Sequence, residues 1–135
     1  MAIEVEIYAP ERTSDSFTAE DVVLPGQAGV FTIQTGHTPL LSTLIPGVLI
    51  VKSTDEEERF FSVASGFAEV RNDRVVVLAK AFERSESIDT SRAEAARQRA
   101  EERLETRDPE TDVQRAQLAL ARANARMKAA NRQGY

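Results

Sequence analysis

The chain has 135 residues, with 22 acidic and 17 basic side chains, one histidine and no cysteine. This length fits one domain with an appendage. The lack of cysteine excludes a disulfide framework, a thiolate metal site and a thiol nucleophile. Residues 1–84 carry 13 acids and 7 bases, whereas residues 85–135 carry 9 acids and 10 bases. This asymmetry indicates that the two parts have separate tasks.

The first residues show neither the basic start nor the long apolar run of a targeting sequence. No stretch reaches the roughly 18 apolar residues of a membrane span. We therefore expect no signal peptide, no transit peptide and no membrane-spanning segment.

The first part of the chain is typical of short β-strands. Ile3, Val5 and Ile7 alternate with polar residues, which predicts a half-buried strand. A second strand begins with a less clear alternation at Phe17, Ala19 and Asp21, leads into residues 22–24 and is expected to break at Pro25-Gly26. Further strands are predicted from short apolar runs at 30–34, 47–51, 60–64, 67–71 and 75–79.

Turn signals separate these strands at short intervals. The acidic run at 55–58 must lie in a solvated hairpin loop, because four like charges cannot share a core. Asn72-Asp73 predicts a tight turn, since both residue types tolerate a positive φ. No long helical pattern intervenes. The pattern therefore predicts a sandwich or barrel of sequential antiparallel strands.

The last fifty residues predict two helices. Asp89 or Ser91 would cap the first, and Ser91 with Glu94 would form a capping box. Asp108-Pro109 would supply the cap and first-turn proline of the second. The short connection favours an antiparallel hairpin. Its apolar stripe repeats at spacings of three and four and consists of Ala93, Ala96, Ala100, Leu104, Val113, Ala116, Leu120, Ala123, Met127 and Ala130.

The composition of this stripe predicts weak packing. Burying a Leu or Val side chain contributes roughly 1.5–3 kcal/mol, whereas an alanine methyl contributes about 0.8 kcal/mol at most. Only Leu104, Val113, Leu120 and Met127 are larger than alanine. After ordering entropy, docking of the hairpin should be favourable by only about a few kcal/mol. A ligand with modest differential affinity could reverse such a preference.

The residues offer no catalytic constellation and no metal site. His37, the single histidine, lies between Gly36 and Thr38 and predicts a turn residue whose ring hydrogen-bonds the backbone. One histidine without cysteine does not support zinc binding, and there is no phosphate-cradling glycine loop. A nucleic-acid binder is disfavoured as well, because the basic last helix lacks interleaved aromatics and the chain is acidic. We expect a non-enzymatic protein.

One small-molecule hypothesis has a mechanism. Glu83 and Asp89 at the hinge between the two parts could contact a sugar or base. An antiparallel hairpin could gather four guanidinium groups, which would repel one another unless an anion lay between them. The alternative is that the arginines face solvent or pair with the four glutamates of the first helix. The arginines concerned are Arg92, Arg99, Arg122 and Arg126.

Five short motifs, in order along most of the chain, resemble the epsilon subunit of F-type ATP synthases. Each motif alone is weak, but together with the β part and the helix pair they are specific. The motifs are Leu24-Pro25-Gly26, Gly36-His37-Thr38-Pro39-Leu40-Leu41, Gly47-Val48-Leu49, Gly66-Phe67-Ala68-Glu69-Val70 and Ile88-Asp89-x-x-Arg92-Ala93.

This resemblance implies an α+β fold. A β-sandwich of about ten antiparallel strands (1–84) would precede a regulatory helical hairpin (85–135). It also implies a non-catalytic place in the central stalk, with the sandwich against the gamma subunit and the c-ring. The hairpin would extend into the head of alpha and beta subunits and block ATP hydrolysis. The complex would hold the chain peripherally at the cytoplasmic face of a bacterial plasma membrane.

The resemblance implies particular site residues. Some members bind ATP as a regulatory ligand in the compact form, without a metal ligand from the chain. The c-ring would contact Val30, Phe31 and His37, and an acidic beta-subunit segment would meet Arg115, Arg122 and Arg126. In the ATP site, the base and ribose end would lie on Glu83, Ile88, Asp89 and Ala93, and the phosphates on Arg92, Arg99, Arg122 and Arg126.

The chain departs from the family pattern in places. Val30 stands where an acidic residue is usual, and Gln34-Thr35 replaces a Leu-Pro pair. A single Gly66 replaces a pair of glycines. These departures affect the expected details of ring contact. A competing hypothesis is a stand-alone ATP-sensing protein that uses the same hairpin.

Overall fold

The computed structural model describes residues 2–55, 57–106 and 108–135. Nine strands in these ranges precede two helices, α1 (Thr90–Thr106) and α2 (Val113–Ala130). A short 3-10 turn, Ser85–Ser87, leads from the last strand toward α1. The strands are β1 (Ile3–Ala9), β2 (Arg12–Gly26), β3 (Gly29–Ile33), β4 (Leu40–Leu44), β5 (Gly47–Ser53), β6 (Glu58–Val63), β7 (Gly66–Arg71), β8 (Arg74–Ala79) and β9 (Phe82–Arg84).

The predicted α+β class, a β-sandwich followed by a helical hairpin, is confirmed. The strands follow the order β1-β8-β7-β4-β2-β5-β6-β9, with β3 paired to β2 and β1 also paired to β2. The long β2 joins the two layers, because its first half pairs with β1 and its second half with β3 and β5. The pairing of β1 with β8 is parallel, a departure from the predicted antiparallel order. The division at 84/85 into separate domains stays a prediction.

The alternation in the sequence sets the inner face of the sandwich. Ile3, Val5 and Ile7 are fully buried between the layers, as their spacing predicts. The turn at Asn72 and Asp73 is confirmed as well, with φ values of 53° and 57°. Both residues occupy the left-handed region that a two-residue hairpin turn requires.

Three strand predictions need correction. The chain does not break at Pro25-Gly26, because β2 continues through both residues and turns only at residues 27 and 28. The sequence pattern also missed β4 and β9. Strand β4 lies on a partly exposed stretch, where Leu40 is 36% and Leu41 71% exposed although they point to opposite faces, and β9 has only three residues. Neither stretch presents a clear alternation.

One of the two caps predicted for the first helix is confirmed, and the other cap predictions are wrong. Asp89 caps α1, since its Oδ1 accepts from the Arg92 N–H at 3.1 Å. Ser91 lies inside the helix, so the predicted capping box with Glu94 is wrong. Asp112, not Asp108, caps α2 and accepts from the Arg115 N–H at 3.0 Å.

The segment predicted to begin α2 forms a separate turn. The Asp108 side chain accepts from the Glu110 N–H, and the Asp108 carbonyl accepts from the Thr111 N–H, at 2.9 Å each. This local turn gives hydrogen-bond partners to backbone N–H groups that would need a cap if a helix began here. The helix therefore begins at Val113, and that side chain is 52% exposed instead of packed.

The two helices pack in unequal ways. Helix α2 lies on β5, β6 and β9, and α1 packs mainly on α2. Strands β5 and β6 are consequently buried on both faces, because Val48 and Phe60 face the helices. Neither helix is long and apolar enough to cross a lipid bilayer over the described residues. All fully buried apolar side chains described in α1 and α2 are alanines, namely Ala93, Ala100, Ala116, Ala123, Ala125 and Ala129.

Candidate functional site

A cleft lies where both helices approach the edge of the sandwich. Its volume is about 240 Å³. One wall comes from β6 and β9, and the other from α1 and α2. Small side chains on the helices keep the cleft open. Its lining consists of Ser62, Val63, Ala64, Ala81, Phe82, Glu83, Ala96, Ala119, Arg122, Ala123 and Arg126.

An ion pair joins the two walls of this cleft. Arg126 Nε lies 2.8 Å from Glu83 Oε1, and Nη2 donates to Oε2 at 3.4 Å. The buried Nε–H is not aligned on the carboxylate for a hydrogen bond. The attraction is therefore mainly electrostatic, and Arg126 keeps donor capacity for an anion.

Three predicted residues meet in the cleft. Glu83, Arg122 and Arg126 all line it. Arg92 and Arg99 are exposed on α1, about one helical turn to either side of Ala96, which lines the cleft. The hairpin thus places two of the four arginines in the cleft, and the other two lie on the face of α1 that carries Ala96.

The other residues predicted to bind the nucleotide have structural roles in this conformation. Ile88 packs with Val48, Phe60 and Ala129 under α2. Ala93 is fully buried, and Asp89 caps α1. None of these three side chains lines the cleft.

The residues predicted to contact the c-ring lie on the sandwich. Val30 is 47% exposed in the β2–β3 hairpin, and Phe31 is half-buried. The half-buried ring of His37 hydrogen-bonds through Nδ1 to the Thr38 carbonyl at 2.7 Å. The structural role predicted for this histidine is confirmed. The preceding Gly36 N–H donates to Asp73 Oδ1 at 2.7 Å, which ties the loop to the β7–β8 turn.

A row of exposed apolar side chains crosses the sheet face away from the helices. Phe67 on β7 is 53% exposed and lies beside Leu78 on β8, which is 54% exposed. Leu78 in turn lies beside Tyr8 on β1. Leu41 on β4 is exposed on the neighbouring row. A contiguous apolar patch of this kind marks an interaction surface.

This exposed apolar row was not predicted from the sequence. A usable signal was present: β7 and β8 carry apolar residues at outward positions as well as inward ones. Phe67 stands next to the buried Ala68, and Leu78 next to the buried Val77. A strand with one solvated face would instead alternate with polar residues.

The sequence matches the family model of the ATP synthase delta/epsilon chain, beta-sandwich domain, over residues 2–85. The matching model for the long alpha-helix domain of the same chain covers residues 86–131. The chain belongs to the ATP synthase epsilon chain family. Members of this family resemble it over nearly their whole length. The epsilon chain of Moorella thermoacetica is 42% identical over 129 residues, with 96% of each chain covered.

Other family members give the same result. The epsilon chain of Synechococcus elongatus is 42% identical over 132 residues, again with 96% of each chain covered. Among solved structures, a chain of the Euglena gracilis mitochondrial ATP synthase (OSCP/F1/c-ring) has a TM-score of 0.83 at 19% identity. The similarity covers 96% of this chain and 81% of that one. At this identity, the match shows a shared fold.

Proposed function

We propose that the chain is a non-catalytic rotor subunit of the ATP synthase central stalk. It would couple the c-ring to the catalytic head, and its helices would leave the sandwich to inhibit ATP hydrolysis. Family membership supports the assembly. The observation that carries the regulatory part is that the side chains buried almost completely in α1 and α2 are all alanines, with the larger apolar residues only partly buried. Each alanine methyl contributes about 0.8 kcal/mol at most, so modest forces can change the position of the helices.

The cleft supports ATP as the regulatory ligand. Arg122 and Arg126 present guanidinium groups, which pair well with phosphate oxygens. At about 240 Å³ the cleft is slightly smaller than most small-ligand pockets, which span roughly 300–1,000 Å³. A nucleotide would therefore extend over the rim toward Arg92 and Arg99. Phosphate binding would compete with Glu83 for Arg126 and fasten both helices to the sandwich.

The surfaces of the sandwich support the partner assignments. The exposed row of Phe67, Leu78 and Tyr8 would dock on the gamma subunit, because it is apolar and lies opposite the helices. The loop with Val30 would meet the c-ring. The exposed Arg115 would pair with an acidic segment of a beta subunit once the helices extend. The complex would hold the chain peripherally at the cytoplasmic face of a bacterial membrane.

The rotor assignment is tested by binding to the gamma subunit without ATP. The two proteins, mixed at micromolar concentration, should elute as a complex. Phe67→Glu with Leu78→Glu should weaken binding by about tenfold or more, because charges would replace the apolar centre of the interface. Leu118→Glu is the matched control, since Leu118 is 51% exposed but lies on α2. If no complex forms and ATP still binds, the stand-alone ATP sensor replaces the rotor proposal.

The nucleotide site is tested by calorimetry with ATP on the full chain. The double variant Arg122→Ala/Arg126→Ala should weaken ATP binding by about tenfold or more, because each substitution removes a charge-assisted hydrogen bond to the phosphates. Arg115→Ala is the control, since Arg115 is an α2 arginine that lines a different cleft near the helix connection. In the assembled enzyme the double variant should also relieve inhibition of hydrolysis. An unchanged ATP titration would remove both arginines from the site.

A further inference from the structure

The chain turns back onto the sandwich after α2. The Arg132 N–H donates to the Ala129 carbonyl at 3.0 Å, and the Gln133 N–H donates to the Lys128 carbonyl at 2.9 Å. These two bonds close the helix in the pattern that usually takes glycine at its turning point. Arg132 occupies that point with a φ of 53°. The left-handed conformation is strained for an arginine, so other contacts must hold it.

The Arg132 side chain supplies such contacts on β6. Its Nη2 donates to the Glu58 carbonyl at 2.6 Å. The guanidinium carbon lies 5.0 Å from the centre of the Phe60 ring, within the range of a cation–π interaction. Phe60 also packs against Ala129 of α2. The arginine therefore fastens the end of the helix to the same strand that the helix covers.

Tyr135 makes a second attachment, on β5. Its hydroxyl accepts from the Val48 N–H at 2.6 Å and donates to the Val48 carbonyl at 3.1 Å. The pairing of β2 with β5 ends at Val23 and Ile50. Farther along, Pro25 has no N–H to donate. The tyrosine thus satisfies both backbone groups of a residue that β2 does not reach.

The sandwich has room for this attachment. A Cβ at Gly47 would lie 2.7 Å from the Tyr135 hydroxyl and 2.5 Å from Pro25 Cβ. Glycine at this position is what allows the hydroxyl to approach the strand. Tyr135 is 59% exposed as a whole, but partial desolvation of its hydroxyl raises its pKa further above neutral pH, where the group is protonated and can donate.

We propose that residues 132–135 form a latch that holds α2 on β5 and β6 and sets how readily the helices leave the sandwich. The helix itself offers little to hold it there, because Ala125 and Ala129 are its buried side chains near the latch. The directional contacts of Arg132 and Tyr135 therefore form a large share of the attachment. This concerns the compact chain alone and does not depend on the rotor assignment.

The latch is tested by amide hydrogen exchange on the full chain without nucleotide. Tyr135→Phe leaves the Val48 backbone groups without their hydroxyl, and Arg132→Ala removes the guanidinium contacts while the left-handed backbone keeps its strain. Each change should speed exchange of α2 amides by about fivefold or more, the equivalent of roughly 1 kcal/mol for a lost hydrogen bond. The double variant should exchange faster still. Amides of β1 and β8 should keep the rates of the parent chain.

Two further variants distinguish a latch from a general change in stability. Tyr8→Phe is the matched control, because its hydroxyl donates at 3.0 Å to Glu6 on the sheet away from α2. It should leave α2 exchange unchanged. Arg132→Gly relieves the strained backbone, so a protein without a latch would exchange more slowly after this change. An α2 rate in the double variant equal to or below that of the parent would overturn the proposal.

Discussion

Gly66 lies where the backbones of β7 and β8 come unusually close. It has a φ of +154°, and a Cβ at this position would lie 2.0 Å from the Leu78 carbonyl oxygen and 2.8 Å from Ala79 Cα. Both of these are backbone atoms inside a paired ladder. They cannot move aside without breaking the pairing of the two strands. Glycine is therefore the residue that this position requires.

We expect Gly66→Ala to lower the free energy of unfolding by about 3 kcal/mol or more, because steric clash adds to backbone strain. Gly29→Ala is the matched control. Gly29 has a φ of +132°, but a Cβ there meets nothing within 4 Å. Strain alone should cost about 1–2 kcal/mol. Urea unfolding followed by far-UV circular dichroism measures both, and equal losses would contradict the role given to the clash.

At the scale of elements, the helices depend on their caps because their packing is weak. Asp112 satisfies an N–H of the first turn of α2, which would otherwise face solvent without a partner inside the helix. Asp89 does the same for α1. Both caps come from residues next to the helix start, so they act before any tertiary contact forms.

We expect Asp112→Ala to destabilise α2 by about 1 kcal/mol, the usual cost of a lost N-cap. Ser91→Ala should change stability by less than about 0.5 kcal/mol, because Ser91 lies within α1 and does not cap it. Amide exchange in the first turn of each helix measures both effects. A loss at Ser91 as large as that at Asp112 would restore the capping box to α1.

At the scale of the whole molecule, the stabilising contacts are unevenly distributed. The sandwich core contains large side chains such as Phe61, Leu24 and Ile33, which are almost completely buried. The helices bury only alanines fully and add three specific attachments, the Glu83–Arg126 ion pair and the contacts of Arg132 and Tyr135. A rigid body thus carries a helix pair held by a few replaceable contacts. This distribution supports the proposal that a ligand or a partner shifts the position of the helices.

The sequence by itself determined the features set by short-range physics. The alternation of Ile3, Val5 and Ile7 follows from the two-residue period of a strand, and the Asn72-Asp73 turn from tolerance of positive φ. The alanine composition of the buried helix positions was also predictable from the sequence, and each alanine can bury only a methyl group. The ring contact of His37 was predictable because it involves an adjacent residue.

Only the tertiary structure decided the features that join distant parts of the chain. Glu83 and Arg126 are 43 residues apart, and Val48 and Tyr135 are 87 apart. Their meeting depends on strand register and on where α2 lies, which no local pattern encodes. Local sterics therefore determined the elements, and long-range packing determined the cleft and the attachment of the helices.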